Sequence, residues 1–318
     1  MKLLKLVPDD TNIDFMKVRN IALILSIIAT VSSLVLVGVR GLNLGVDFVG
    51  GQLIRTTFTQ PVDVEQLRSR VDSLNLGESS IQEFGGPKSY QIRLPKPEGG
   101  ADAANAAAGK VMTMLTQQYP GARMDSVDTV SGKVSEELAT DGAMAIALSM
   151  IGIALYIWFR FEWQFGVGAL LTLFHDVSMV LGFFALTQLP VDLNVVAAFL
   201  TIVGYSLNDT VVIYDRIREN LRKYRKMEIV SLLNFSLNET LSRTMVVSLS
   251  LMIALAVLLI LGPPVLFGLT VAILLGTFIG TYSSIYISSP ALVWLGLNPD
   301  SFLRSEDEAD DKAATKPA

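Results

Sequence analysis

Long apolar runs separated by short charged stretches dominate the hydrophobic pattern of this chain. A helix needs roughly 20 apolar residues to cross the hydrocarbon layer of a bilayer, and each of these runs is close to or above that length. The pattern therefore predicts a membrane α-helical protein with six transmembrane helices. We place them over Ile21–Val39, Ala139–Phe159, Phe165–Leu186, Leu193–Tyr214, Arg243–Leu261 and Phe267–Leu295.

A polar stretch of different periodicity, residues 41–138, separates the first apolar run from the second. Alternation and turn residues predict strands at Gly51–Thr59, Ser80–Phe84, Tyr90–Leu94 and Arg123–Val130. Helical spacing of Val64, Leu67, Val71 and Leu74, and the run Ala103–Tyr119 before Pro120-Gly121, predict two helices. The order is βαββαβ, so we predict a small α+β, ferredoxin-like domain.

Basic residues set the expected orientation. Lys2, Lys5, Lys17 and Arg19 precede the first run, and a basic loop is predicted at 215–241. By the positive-inside rule both regions, and hence both termini, are expected in the cytoplasm. The chain then divides into an N-terminus with helix 1 (1–40), a periplasmic domain (41–138), helices 2–6 (139–297) and a disordered cytoplasmic tail (298–318).

Composition narrows the classes of function. The chain is 51% hydrophobic, with a mean hydropathy of +0.49, which is typical of membrane proteins. It has no Cys and one His, so we expect no disulfide, no metal site and no cofactor. No phosphate-binding loop of the Gly-x-x-x-x-Gly-Lys-Ser/Thr type is present. The net charge of −5 argues against nucleic-acid binding, while the basic loop is expected to contact lipid headgroups.

Asp209 is the strongest candidate for chemistry. It stands about five residues inside the fourth run, or roughly 8 Å within the apolar layer. An ionised carboxylate there costs about 2.5–3.5 kcal/mol, and such residues commonly mark ion or proton paths. Arg243, near the same end of the fifth run, is the expected partner of Asp209. The alternatives are that Asp209 only packs, hydrogen-bonded to a neighbouring helix, and that the Arg243 side chain only extends to the membrane–water interface.

Other polar and small residues lie in the same runs. Asn208, Ser206 and Thr210 flank the acid and could line a wet path or join helices. His175 and Asp176 in the third run are either part of a polar interior or an ordinary hydrogen-bonded pair. Gly204 is expected to allow close helix approach, and Gly276 and Gly280, with Ser284 and Ser288, predict a packing stripe.

Two long motifs carry a resemblance to a known family. They are Gly41-Leu-Asn-Leu-Gly-Val-Asp-Phe-Val-Gly-Gly51 and Gly204-Tyr-Ser-Leu-Asn-Asp-Thr-Val-Val-Ile-Tyr-Asp-Arg-Ile-Arg-Glu-Asn220. Shorter stretches fit as well: His175–Val177, Thr240–Thr244, Gly262–Val265 and Gly276–Ser289. Over residues 15–297 the chain resembles the SecF family of the bacterial Sec protein-export machinery, within the resistance-nodulation-division superfamily.

The resemblance implies a function and a set of partners. It implies a multi-pass protein of the bacterial inner membrane that works with SecD beside the SecYEG channel. Such proteins use the proton gradient to help late movement or release of preproteins after the SecA ATPase has pushed. It also implies that Asp209 and Arg243 form the functional pair of the proton path, and that the protein is not an enzyme.

Three other functions are weighed against this one. A passive scaffold for SecD and the channel would use Asp209 only for packing. An intramembrane aspartyl protease would need Asp176 and Asp209 to share one site, and its expected Gly-x-Gly-Asp motif is replaced by Ser206-Leu-Asn-Asp209. A small-molecule exporter of the same superfamily would need about twice as many helices as this chain offers.

Overall fold

The computed structural model describes residues 11–77, 79–95 and 100–297. The predicted tail at 298–318 and the basic residues Lys2 and Lys5 lie outside these ranges. Within them, the predicted fold class is confirmed: six helices are long and apolar enough to cross a membrane, and one small sheet lies between the first and the second.

The helices, numbered in chain order, mostly follow the apolar runs. Between the first and second spans lie the short α2 (Val46–Val49), α3 (Val64–Asp72) and α4 (Gly100–Gln118). The long helices are α1 (Arg19–Arg40), α5 (Gly132–Arg160), α6 (Trp163–Thr187), α7 (Leu193–Lys223), α8 (Ile229–Leu261) and α9 (Phe267–Ser283). A π-helical turn, Ser284–Ser288, joins α9 to α10 (Ser289–Trp294), and these three together form the sixth span.

The sheet has four strands in the order β2-β3-β1-β4, with every neighbouring pair antiparallel. Its strands are β1 (Gly51–Thr57), β2 (Ser80–Glu83), β3 (Ser89–Leu94) and β4 (Arg123–Val130). With α3 after β1 and α4 after β3, the predicted βαββαβ order is confirmed. We call the described residues between 51 and 130 the sheet domain.

The two faces of the sheet differ because successive side chains alternate. One face buries Ile54, Ile81 and Ile92 against Leu67 of α3 and Val111 of α4. The other face carries Arg55 and its register partner Gln91, and it looks towards the start of α7. The hydrophobic core of the sheet domain therefore lies on the side away from the helical bundle.

The centre of the bundle is built from α6, α7 and α9. Phe184 of α6, Ile202 of α7 and Ala272 of α9 are almost fully buried in one cluster. By contrast, the apolar window of α5 is only 6% buried and that of α8 17% buried. Large apolar side chains are exposed on both helices, among them Ile151 of α5 and Ile253 of α8, as expected for surfaces that face lipid or another membrane protein.

The predicted basic loop at 215–241 is wrong. The helix α7 continues to Lys223 and α8 begins at Ile229, so the connection is only residues 224–228. The charged residues of α7 here occupy one face of the helix, while Leu221 of α7 and Leu232 and Leu237 of α8 are buried. Arg216 pairs with Glu239 at 2.6 Å across the two helices. The burial of this apolar face keeps the hairpin helical beyond the apolar layer.

Candidate functional site

Asp209 lies where three helical elements meet. Its carboxylate faces away from α7 towards α8 and the π-helical turn. Thr244 Oγ1 of α8 donates a hydrogen bond to Oδ1 at 2.7 Å, and Ser284 Oγ donates to Oδ2 at 2.7 Å. The acid that the sequence placed inside the apolar layer therefore receives one hydroxyl from each of two neighbouring elements.

The π-helical turn shapes this side of the site. Ser288 Oγ donates to the Ser284 carbonyl at 2.5 Å, and the Tyr214 hydroxyl of α7 donates to the Ser288 carbonyl at 3.3 Å. Side chains thus supply hydrogen bonds where the regular helical pattern is interrupted. Such single π turns are frequent at functional sites, and this one carries the Ser284 hydroxyl that contacts Asp209.

Asp176 is a second acid in the same interior, and its residue is 0% exposed. Ser206 Oγ of α7 donates to its Oδ2 at 2.5 Å, and Ser283 Oγ of α9 donates to the same oxygen at 2.9 Å. His175 Nδ1 lies 2.9 Å from Oδ1. The structure thus brings His175, Asp176 and Ser206 together, as a polar interior requires.

The two acids belong to one polar cluster. Ser206 and Asp209 are three residues apart on α7 and therefore share a face of the helix. Ser283 and Ser284 are consecutive, and each donates to one of the acids. We call this group the two-acid cluster; its members are His175, Asp176, Ser206, Asp209, Thr244, Ser283 and Ser284.

The predicted ion pair between Asp209 and Arg243 is wrong as a direct contact. Arg243 is exposed, and the residue that reaches Asp209 from α8 is its neighbour Thr244. Successive helix residues point roughly 100° apart, so only one of the two faces α7. The positive charge of Arg243 still attracts the Asp209 carboxylate at longer range.

The remaining predicted polar residues divide into two groups. Thr210 is buried in the bundle, where its hydroxyl has no hydrogen-bond partner within the described ranges. Asn208 is exposed on the outer face of α7 and lines no interior path of this chain. Gly204 lies on the same outer face, and a Cβ built on it would meet no atom within 4 Å. The prediction that Gly204 packs closely is therefore wrong for the helices of this chain.

Gly276 and Gly280 do pack as predicted. A Cβ on Gly276 would lie 2.4 Å from Ile202 Cγ1, and one on Gly280 would lie 3.3 Å from Ser206 Cβ. Both contacts are with α7, so the glycines let α9 approach the helix that carries Asp209. The close approach also brings Ser283 and Ser284 within reach of the two acids.

Sequence reasoning missed three members of the cluster: Thr244, Ser283 and Ser284. Ser284 was assigned to the packing stripe that begins at Gly276, and Ser283 was given no role. Consecutive hydroxyls inside an apolar run were the available signal for a polar role. In the part of the chain that the structure describes, no three His, Asp or Glu residues form a group able to hold a metal ion.

The geometry permits a specific response to protonation. An ionised carboxylate only accepts hydrogen bonds, so Asp209 can accept from Thr244 and Ser284 together. A protonated carboxyl group must also donate, which changes its hydrogen bonds with one of these two partners. Proton binding at Asp209 is thus able to alter how α8 and the π-helical turn are held to α7.

Comparison with known proteins places this site in a family. The model for "Protein export membrane protein SecD/SecF, C-terminal" matches residues 110–298, and the SecD/SecF GG motif matches residues 35–62. The SecF protein translocase subunit of Pseudomonas aeruginosa is 40% identical over 306 residues, covering 94% of this chain and 97% of that protein. The SecF subunit of Cereibacter sphaeroides is 41% identical, covering 98% of this chain and 97% of that protein.

Solved structures give the same result. The crystal structure of SecDF, a translocon-associated membrane protein from Thermus thermophilus, superposes with a TM-score of 0.82 at 32% identity. It covers 91% of this chain, which spans 39% of the longer SecDF chain. A super-membrane-facing form of SecDF matches with a TM-score of 0.63 at 33% identity, covering 95% of this chain and 40% of that one. The chain is a multi-pass membrane protein that belongs to the SecF family of protein translocase subunits.

Proposed function

We propose that the chain is an accessory subunit of the Sec preprotein translocase that couples the proton-motive force to late translocation or release of exported proteins. Its SecF relatives are named as protein translocase subunits. The single observation that carries the proton coupling is Asp209 itself. It is a carboxylate within an apolar span, held by hydroxyls from α8 and from the π-helical turn.

The partners follow from the same proposal. SecD forms the other half of the membrane unit, in line with the SecDF chain of which this chain spans about two fifths. The SecYEG channel and the preprotein are the further partners. We place both termini in the cytoplasm and the sheet domain in the periplasm, because the basic end of α7 and the connection that follows it, with Arg225 and Lys226, lie on the side away from the sheet.

The proposed role is not enzymatic. An aspartyl protease requires two carboxylates that share one proton and one water-accessible site. Here Asp176 and Asp209 are held by different serines, and Asp176 is fully buried. Separate hydrogen-bond partners support proton binding at each acid rather than joint attack on a peptide bond.

The test is gradient-driven export in membrane vesicles that carry the SecD partner and the SecYEG channel. We expect Asp209→Asn to abolish the stimulation of export by the proton gradient while the complex assembles at the wild-type level. Asp141→Asn is the matched control, because Asp141 is an exposed carboxylate on α5. Its stimulation should equal that of the wild type.

The same experiment decides between the proposal and a passive scaffold. Stimulation that persists in Asp209→Asn would make the acid a packing residue and the subunit a scaffold for its partners. A loss of complex with normal stimulation per assembled complex would support the scaffold too. The motor function requires normal assembly together with lost stimulation.

A further inference from the structure

The start of α7 is bound to the chain segment that leads from α1 into the sheet domain. Gly45 N donates to the Val191 carbonyl at 2.7 Å, and Val191 N donates to the Asn43 carbonyl at 2.8 Å. These bonds form a short parallel bridge between Leu44 and Val191. The entry to the sheet domain and the entry to α7 are therefore joined through their backbones.

The close approach of the two segments depends on Gly45. A Cβ at this position would lie 3.0 Å from the Val191 carbonyl oxygen and 3.3 Å from the Asp192 Cα. Both neighbours are backbone atoms, which cannot move aside as a flexible side chain can. The lack of a side chain at Gly45 thus holds the two segments in register.

Acidic side chains from both segments cap the first turn of α7. Asp192 Oδ1 accepts from Val195 N at 3.0 Å, as an N-cap residue does. Asp47 Oδ2, from the other segment, accepts from Leu193 N at 2.9 Å. The free N–H groups at a helix start need such partners, and here one of the partners, Asp47, lies outside the helix.

Arg55 of β1 links the sheet to this helix start. Its residue is 5% exposed, and its guanidinium forms an ion pair with Asp128 of β4. Its Nη2 lies 3.8 Å from Asp192 Oδ2. Burial raises the pKa of Asp192, while the Val195 N–H and the charge of Arg55 oppose that rise and Asp47 adds to it. Removing Arg55 would leave the partly buried Asp192 without this cation beside it.

The surroundings of Arg55 leave room for movement. A cavity of about 260 Å³, lined by both polar and apolar residues, separates the sheet from the start of α7, and Asn43, Gln91 and Arg93 contribute to its lining. Its size and the polar side chains in its lining suit several water molecules. Arg55 Nε has no hydrogen-bond partner among the described residues and lies beside this cavity. An interface that contains such a cavity can rearrange at lower cost than a close-packed one.

We infer that Arg55, Asp192 and Asp47 are positioning residues that transmit movement of α7 to the sheet domain. The inference rests on the proposed function, because it takes protonation of Asp209 as the event that moves α7. Asp209 lies 16 residues beyond Leu193, or roughly 24 Å along one continuous helix. A helix of this length transfers a tilt or shift at Asp209 to its first turn, where these three residues bind the sheet domain.

The experiment measures the distance between the sheet domain and the bundle in the assembled complex with SecD in lipid vesicles. The chain has no native Cys, so spin labels can be placed at Lys88→Cys, between β2 and β3, and at Leu186→Cys, on α6. Both positions are exposed. We expect the label–label distance to change between neutral and acidic pH in the parent complex, and Asp209→Asn to abolish the change.

Arg55→Gln should abolish the distance change while the complex still assembles. Arg55→Lys, which keeps the positive charge, should retain part of the distance change. The matched control is Arg123→Gln, which removes an exposed cation that pairs with Asp125 on β4, and it should keep the full change. Should Arg55→Gln fail to assemble, Asp192→Asn serves in its place, since an amide oxygen can still cap α7.

Full pH-dependent change in both Arg55→Gln and Asp192→Asn would overturn the inference. If Asp209→Asn still abolished the stimulation of export by the gradient, the proposed function would stand. Arg55, Asp192 and Asp47 would then not be the residues that transmit the movement. A parent complex that shows no change would also overturn the inference, because there would be no movement to transmit. Export measurements on Asp209→Asn report on the proposed function independently of either result.

Discussion

At the scale of single residues, two hydroxyls determine the environment of the central acid. Thr244 and Ser284 each donate to a different oxygen of Asp209 at 2.7 Å. Hydrogen bonds to charged groups stabilise proteins by about 1.5–3 kcal/mol, more than bonds between neutral groups. The two hydroxyls therefore control the cost of keeping Asp209 ionised inside the span.

We predict that Thr244→Val and Ser284→Ala each lower the free energy of unfolding by about 1–3 kcal/mol, because each removes one donor to a partly buried carboxylate. Each should also reduce the stimulation of export by the gradient. Thermal unfolding in detergent and vesicle export measure the two effects. Ser250→Ala removes an exposed hydroxyl of α8 that bonds only within its own helix, and it should change neither. Wild-type behaviour of both variants would contradict the role of these donors.

The sequence predicted Asp209 but not its partners, and the reason is geometric. Counting along an apolar run predicts which residues lie inside a span, and Asp209 does lie within the fourth candidate span, Leu193–Lys223. The rotation of a helix about its axis does not follow from that count. Arg243 was expected as the partner because of its charge and its place near the same end of its span, whereas the packing of α8 turns Thr244 inwards and Arg243 outwards.

At the scale of elements, the contact between α7 and α9 holds the two-acid cluster together. Gly276 and Gly280 allow this contact, and the serines that bond the acids follow on the same span. Small residues every four positions predicted such packing correctly, because that spacing places them on one helix face. The hairpin of α7 and α8 beyond the apolar layer was not predicted. Its charges resemble those of a loop, and its apolar residues are too few to indicate a span.

We predict that Gly276→Ala lowers the free energy of unfolding by about 1–3 kcal/mol, the usual cost of overpacking. The added methyl group would lie 2.4 Å from Ile202 Cγ1, a buried side chain with little room to turn. Gly152→Ala on the exposed face of α5 meets nothing within 4 Å and should not destabilise the protein. Thermal unfolding measures both variants.

A double variant tests the cause of this loss. Ile202→Ala leaves a cavity and is destabilising alone. If the clash is with Ile202, the double variant Gly276→Ala/Ile202→Ala should be less destabilised than the sum of the two single variants. Simple additivity would mean that the alanine disturbs α9 in some other way.

At the scale of the whole molecule, the outer face of α7 and α8 is unusual for a surface that meets lipid. Asn208, Thr201 and Arg243 are exposed on this face, and Gly204 leaves open space beside them. Polar side chains within a span generally face protein or water rather than hydrocarbon. The face differs in this respect from the exposed side of α5, which includes Leu148, Ile151 and Leu155.

Polar residues on an outer face are expected if another protein covers that face. This chain spans only about two fifths of a SecDF chain, which leaves room for such a partner. We predict that the partner subunit covers the face that carries Asn208 and Gly204. A spin label at Asn208→Cys should lose accessibility to a lipid-soluble relaxation agent when SecD is added to vesicles that hold the chain. A label at Leu148→Cys, on α5, should keep its accessibility because this side remains in lipid. Equal accessibility at Asn208 with and without SecD would place the partner elsewhere, and Gly204 and Arg243 would then need another explanation for facing outwards.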